Sequence, residues 1–346
     1  MTNPLAVSVL DLLPVRTNQT SADAFTAARS LARVAEDSGC TRYWVAEHHN
    51  TESVASTNPP VLIAMLAGVT ERIRVGSGGV MLPNHAPLVV AEQFAALHAA
   101  YPDRIDLGIG RAPGTDPVTT WALRNGAGDE EIVRNFPHYV QQVMAYMSPE
   151  GAKVQVAGRT FDIRATPRAA EAPPVWLLGS SDYSARLAAQ LGLPYVFAHH
   201  FSGHGTAEAL RLYREGYAGE GAPRTFLTVN AIVADTEEEA RELSLPFQYQ
   251  MACLRTGKPL VSMLTVEEAR GTEWPLSETG LAQLSASWFV GTPDRVAEGI
   301  RSLAQQHGVD EVMIQPVAGA YASEPTDRDL ARERTVRELT ERLRVD

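Results

Sequence analysis

PVWLLGSSDYSARLAAQ (174–190) decides how this chain is built. Its first six residues are apolar at successive positions, which is what a strand covered on both faces requires. The run then passes directly into a helical pattern, with no turn for a hairpin. Such a strand-to-helix unit belongs to a parallel sheet with helices on its faces. DEVMIQPV (310–317) has the same character.

Outward from this unit the alternation repeats. Strands are expected at AVSVLDLL (6–13), RYWVAE (42–47), IRVGSGGVML (73–82), RIDLGIG (104–110), PVWLLG (174–179), YVFAHH (195–200), FLTVNAIVA (226–234) and DEVMIQPV. The first intervening helix opens with Thr20 and Asp23 in a capping-box-like pair and closes at Gly39. Further helices are expected at about 59–70, 87–100, 129–147, 181–191 and 204–218, then after strand seven, at 291–306 behind Thr292 and Pro293, and at 325–344. VQVAGRTFDI (154–163) predicts a small hairpin, and 111–127 an irregular Gly/Pro loop. Residues 255–286 combine weak periodicity with scattered Gly and Pro, and predict a long mobile insertion after strand seven. Eight strand–helix units joined by right-handed crossovers predict an α/β TIM (β/α)8 barrel, one domain over 1–346. A doubly wound sheet is the alternative. In a barrel, functional groups gather where strands end.

Composition narrows the function. The 346 residues carry 41 acidic and 30 basic side chains, a net charge of −11, with the two signs interspersed. This argues against nucleic-acid or anionic-membrane partners. The last helix holds several arginines, but Asp and Glu alternate with them. The two cysteines, Cys40 and Cys253, make neither a metal cluster nor a disulfide framework, which predicts a reducing cytoplasm. The N-terminus shows no signal-peptide pattern, and the longest apolar run, 61–69, is too short to span a bilayer.

The chemistry gathers at strand ends. YWVAEHHNT (43–51) runs from apolar residues into Glu47, His48 and His49. Neighbouring strand residues point to opposite sides, so Glu47 and His49 share one direction and His48 takes the other. The three therefore cannot converge on a metal. A single histidine is explained by a structural hydrogen bond; two with a glutamate at a barrel rim favour function. Strand six ends in His199 and His200. Metal-dependent hydrolase barrels would recruit these with His48, but they open with an HxH pair that VSVLDLL lacks. No metal is expected.

The glycines of GSGGVMLPN (76–84) do not form a Walker loop, and LGIGRAPG (107–114) is not GxGxxG. Gly78 and Gly79 inside a strand mark either a plain bulge or the close approach of a flat ligand. Arg111 follows strand four, and Ser180, Ser181 and Ser184 lie at the start of the helix after strand five. Free N–H groups and hydroxyls there make an anion site. Ordinary capping explains one serine, not three. Arg111 and this helix start can together hold one phosphate.

Along nearly its whole length the chain resembles the bacterial luciferase-like flavin-dependent monooxygenase family. The likeness is carried by WVAEHHNTE, TERIRVGSGGVMLPNHAPLVVAEQF, RIDLGIGRAPGTD, PVWLLGSSDYSARLAAQLGLP and FVGTPDRVAEGI before DEVMIQP. The resemblance implies a dimeric barrel using reduced FMN from a separate NAD(P)H:flavin reductase. With O2 this gives a C4a-hydroperoxyflavin that oxygenates a small organic substrate, such as an aromatic or polyketide metabolite or an aldehyde. It implies His48 as the catalytic partner of that chemistry, and a non-proline cis peptide at Gly78–Gly79 against the flavin ring. It also implies Arg111 and Ser180 as phosphate ligands, with Gly179, Ser181, Tyr183 and Ser184 nearby. Glu47, His199 and His200 are candidates for the substrate side, and 255–286 for a lid. Gly110 and Gly179 stand where the light-emitting subunit has cysteine and glutamate, so light emission is not implied. Two alternatives remain on the same fold: F420-dependent hydride transfer and a non-catalytic flavin-binding protein. Dimerisation is expected through Ala64, Ala67, Ala91 and Ala95 on the helices after strands two and three.

Overall fold

Strands and helices alternate along the chain in a computed structural model that describes residues 4–126, 129–201 and 203–344. The strands are β1 (Ala6–Asp11), β2 (Arg42–Val45), β3 (Arg74–Ser77), β4 (Val80–Met81), β5 (Ile105–Gly110), β6 (Ala152–Val156), β7 (Arg159–Ile163), β8 (Val175–Gly179), β9 (Tyr195–Phe197), β10 (Thr225–Val233), β11 (Phe289–Gly291) and β12 (Glu311–Pro316). The helices are α1 (Ser21–Ser38), α2 (Pro59–Ala67), α3 (Pro87–Ala100), α4 (Pro117–Leu123), α5 (Asp129–Arg134), α6 (Phe136–Met147) and α7 (Asp182–Gln190). They continue as α8 (Thr206–Glu215), α9 (Glu237–Thr256), α10 (Val266–Gly271), α11 (Glu278–Leu284), α12 (Pro293–His307) and α13 (Leu330–Arg344).

Parallel pairing runs β12–β1–β2–β3–β5–β8–β9–β10, and β10 pairs back to β12, closing an eight-stranded barrel. This is the expected TIM barrel. β4 continues the third wall position past Gly78 and Gly79, pairing Val80 with Ile109 of β5. β11 lies along β10 beyond β9, on the edge opposite β12. The expected hairpin is β6–β7, antiparallel and outside the barrel. Among the described residues no helix is long and apolar enough to cross a membrane.

Alternation along each strand divides the core in two. Val7, Val9, Tyr43, Val75, Leu107 and Val229 face outward into the layer shared with the helices. Leu10, Trp44, Trp176, Phe226 and Met313 face inward and plug the barrel. The ring centroids of Trp44 and Trp176 are 5.7 Å apart, and those of Trp176 and Phe226 5.1 Å. Nearer the strand starts, Arg42 pairs with Asp106 at 2.8 Å and Glu311 at 2.7 Å, and Arg74 with Asp106 at 2.6 Å. Aromatic rings and ion pairs thus fill the barrel from that end, leaving the C-terminal strand ends for a ligand.

Several elements differ from expectation. The loop 111–127 contains α4, capped by Asp116, whose carboxylate accepts the N–H groups of Val118 and Thr119; residue 127 lies outside the described residues. The helix expected over 129–147 is broken into α5 and α6 because Pro137 supplies no N–H and its ring would clash with the preceding turn. The sixth strand stops at Phe197, and His199–Phe201 form a 3-10 turn rather than its extension. Residues 255–286 carry α10 and α11, each with a side-chain N-cap, from Thr265 and Ser277. The Met263 N–H donates to Val15 O and its carbonyl accepts from the Thr17 N–H, tying this segment to the chain that follows β1. Of the four alanines expected at a dimer face, Ala67, Ala91 and Ala95 are buried within the chain; Ala64 is exposed.

Candidate functional site

Glu47 is the fixed point of the barrel mouth. It is fully buried, and its Oε2 accepts the Met81 N–H at 2.9 Å. Its Oε1 lies 2.8 Å from Nε2 of both His49 and His85. Burial alone would raise its pKa, but hydrogen bonds from His49 and His85, the charge of His85 and the Met81 N–H hold it at about 2. Glu47 is therefore a carboxylate at any ordinary pH. As expected, Glu47 and His49 share one side.

His48 shares none of these side-chain contacts. Its backbone N–H donates to Ser56 O at 2.9 Å, while its Nδ1 is buried with no partner. Burial lowers its pKa below 6.5 against the opposing pull of Glu47, so the imidazole is neutral near pH 7. A neutral imidazole with an uncommitted buried nitrogen can accept or donate a proton. His49 O accepts from Thr115 Oγ1 at 2.8 Å and the His49 N–H donates to Gly114 O at 3.1 Å, clamping the loop after β5 onto this run.

Next around the mouth is a wall without side chains. The Gly78–Gly79 peptide is cis, and the Gly78 N–H donates to Val45 O at 2.8 Å. A Cβ on Gly78 would come within 2.7 Å of Leu10 Cδ1, one on Gly79 within 2.8 Å of Gly108 O, and one on Gly108 within 2.0 Å of Ser77 O. Packing inside the wall thus requires these glycines by itself. The backbone here carries no side chains, and at Gly78 it is partly exposed.

Arg111 leaves the end of β5, with its guanidinium 4.1 Å from the centre of the Tyr183 ring and no carboxylate within ion-pair reach among the described residues. Tyr183 lies in the first turn of α7, whose N-cap is Ser181. That serine makes no side-chain cap bond. Ser180 and Ser181 are exposed, so hydroxyls and early N–H groups of the helix remain open to an anion. Ser184 is committed elsewhere: its hydroxyl donates to Ser181 O at 2.7 Å and lies 3.2 Å from Tyr195 OH. Gly179 is required because a Cβ there would come within 2.2 Å of Ser184 Oγ. A pinned, unpaired guanidinium facing an uncapped helix start fits a phosphate.

The two histidines after β9 part company. His199 is buried toward the helices, its Nδ1 2.8 Å from Thr206 Oγ1 and its ring 6.2 Å from that of His307. Burial, with His307 adding, pushes its pKa down to about 4. His200 faces β10, where its Nδ1 is hydrogen-bonded to Thr228 Oγ1 and its carbonyl accepts from Asn230 Nδ2 at 3.0 Å. Burial, with His199 and His48 contributing, pushes its pKa to about 3. His200 and His48 thus sense each other across the mouth; His199 does not belong to it.

Residues missed in the sequence complete the site. His85 stands 38 positions from Glu47, and no spacing rule connects them. Asn230 and Gln315 are Cα partners on β10 and β12 and face inward, at 2% and 5% exposure. A polar residue amid FLTVNAIVA was the available signal.

The comparisons with known proteins agree with this fold. A family model described as luciferase-like monooxygenase matches residues 6–311. A luciferase-like monooxygenase of Escherichia coli (strain K12) is 39% identical over 313 residues, 90% of this chain and 91% of the other. The N-acetyl-S-alkylcysteine monooxygenase of Bacillus subtilis is 32% identical over 321 residues, 91% of this chain and 94% of the other. The crystal structure of apo-MsnO8 has a TM-score of 0.86 at 32% identity and covers 98% of both chains. At the level of fold alone, the oxygenating constituent of 3,6-diketocamphane monooxygenase in complex with FMN has a TM-score of 0.73 at 19% identity, covering 98% of both chains. An F420-dependent secondary alcohol dehydrogenase has 0.68 at 13%, covering 97% of this chain and 99% of the other. With a family model spanning most of the barrel and a relative this similar along nine-tenths of the chain, the protein belongs to the luciferase-like monooxygenase family.

Proposed function

We propose that the protein is a flavin-dependent monooxygenase that takes reduced FMN from a separate NAD(P)H:flavin reductase and uses O2 to oxygenate a small organic substrate. The observation that carries this is the run of four neighbouring strand ends: neutral His48 after β2, the glycine wall of β3–β4, Arg111 after β5 and the open start of α7 after β8. Support also comes from the FMN-bound relative of this fold and from the monooxygenase names of similar proteins.

In this reading Arg111, held by Tyr183, binds the flavin phosphate together with Ser180, Ser181 and the N–H groups of α7. The backbone at Gly78 and Gly79 supports the ring. Reduced flavin, when bound, supplies the electrons that activate O2, and the protein supplies orientation and a dry pocket. His48 holds or moves a proton at Nδ1, the atom with no other obligation. Glu47 is a positioning residue: as a permanent carboxylate it fixes His49, His85 and Met81 around the wall. The 255–286 segment, tied to the chain that follows β1 beside the mouth, acts as the lid, and a homodimer forms over the exposed Val61, Ala64 and Val89 of α2 and α3.

Anaerobic titration with reduced FMN and with F420, followed by oxygen uptake with a flavin reductase, tests the reading. Tight FMN binding and substrate-dependent product oxygenation are expected. Binding of F420 with no oxygen consumption would replace it with hydride transfer on the same fold.

A further inference from the structure

Across the barrel mouth from the glycine wall, the ends of β9 and β10 present polar side chains without charge. His200 follows β9, and its Nδ1 is hydrogen-bonded to Thr228 Oγ1 of β10. The Thr228 hydroxyl has one proton and directs it at Phe197 O, 3.4 Å away, so it accepts from the His200 Nδ1–H. Burial, with His199 and His48 adding, keeps the imidazole neutral, which leaves a bare lone pair at Nε2. That nitrogen has no hydrogen-bond partner among the described residues, and His200 is only half-buried. Asn230 Nδ2 donates to His200 O at 3.0 Å and fixes the backbone that carries the ring. The imidazole is thus held at Nδ1 and at its backbone, and its acceptor tip is open.

The surroundings narrow what donor this acceptor takes. Thr228, Asn230 and Gln315, the inward polar residues of β10 and β12, carry no charge, so this side has nothing to compensate a ligand ammonium. A carboxylate at neutral pH has no proton to donate. A neutral hydroxyl meets both conditions. Beside His200 stands an aromatic face: the Phe201 ring lies 4.3 Å from the imidazole, centre to centre, and Phe201 is 68% exposed. Leu12, just past β1, and Leu178 of β8 pack on the aromatic plug of the barrel and remain partly exposed. A ring carrying the hydroxyl gains a π contact with Phe201 and an apolar floor.

We infer that the mouth takes a substrate with a phenolic hydroxyl, and that His200 anchors it by accepting the O–H at Nε2 while Phe201 lies along the ring. The inference rests on the monooxygenase reading for what then happens to the substrate, but not for the binding, in which no covalent bond changes. A site that hydrogen-bonds a hydroxyl discriminates against the analogue lacking it, because the acceptor is then left unpaired.

The test is calorimetric titration of the protein, with and without FMN, using p-cresol and its methyl ether, 4-methylanisole. The ratio of the two affinities is read in wild type and in two variants. His200→Asn keeps a donor where Nδ1 stood, to hold Thr228, and has no atom at Nε2. His200→Gln puts an amide oxygen near the place of Nε2. The preference for p-cresol over the ether is expected to fall about tenfold in His200→Asn and to survive largely in His200→Gln, with FMN affinity unchanged in both. In wild type, 4-methylcyclohexanol, with the hydroxyl on a saturated ring, should bind more weakly than p-cresol; this comparison needs no variant. A preference unchanged in His200→Asn, an equal loss in both variants, no binding of p-cresol, or equal binding of 4-methylcyclohexanol would overturn the inference. The expected pattern in a protein that fails to bind FMN would instead sink the flavin reading and leave this one standing.

Discussion

The Oε2 of Glu47 accepts the backbone N–H of Met81 at 2.9 Å, so the end of β2 is fastened to the strand that follows the cis Gly78–Gly79 peptide. Because Oε1 also receives His49 and His85, one carboxylate fixes His48's neighbours and the glycine wall together. Glu47→Gln removes the charge that makes these bonds strong. We expect it to destabilise the fold by about 2–3 kcal/mol in urea unfolding. The wild-type contribution is present above the unfolded pKa of 4.5 and disappears as pH falls toward about 2. The variant's stability should lack that acid-side loss.

Histidines give a second pH dependence at higher pH. His199 and His200 are held neutral at about 4 and about 3, below the ordinary 6.5. Between these limits the unfolded chain binds more protons than the folded one, so their contribution is complete above pH 6.5 and is lost as pH falls. Each adds a slope of up to about 1.4 kcal/mol per pH unit over its window. Chemical unfolding from pH 7 to 4.5 should show this decline, and His200→Gln should make it shallower.

The glycine wall is a packing requirement before it is a binding surface. A Cβ on Gly108 would overlap Ser77 O, which is backbone and cannot rotate away. Gly108→Ala is expected to cost at least about 2–3 kcal/mol in thermal or urea unfolding. A variant as stable as wild type would show that β3 and β5 are not packed this closely.

His48 should separate binding from chemistry. Its Nδ1 has no structural partner, so His48→Gln is expected to leave FMN affinity and stability near wild type. Product formation should fall by about 100-fold or more while reduced flavin is still oxidised, releasing hydrogen peroxide. A peroxide assay beside product analysis reads both. Unchanged product yield would remove His48 from the mechanism.

Much of the fold was legible because parallel strands buried on both faces leave an unbroken apolar signature, as in VWLLG and VMIQP. The Glu47–His48–His49 run was legible as a cluster after an apolar strand, although β2 ends at Val45 and the run lies beyond it, where a strand was expected over 42–47. Less was visible wherever contacts are distant in sequence. His85 looks like a lone loop histidine until the fold brings it to Glu47. The turn at His199–Phe201 was hidden because an apolar strand and its exit have the same composition. Ser184 resembled an anion ligand, but its hydroxyl serves the helix's own backbone. Asn230 becomes informative only because its Oδ1 is buried without a partner, which a sequence does not display.

Arg111 offers the most direct test of the whole account, because FMN and riboflavin differ by the phosphate it is proposed to hold. Fluorescence titration of wild type and Arg111→Leu with both flavins is the measurement. The account predicts that wild type prefers FMN, and that the variant loses about 10–100-fold in FMN affinity with riboflavin unchanged. Equal losses for both flavins, or none for either, would contradict it.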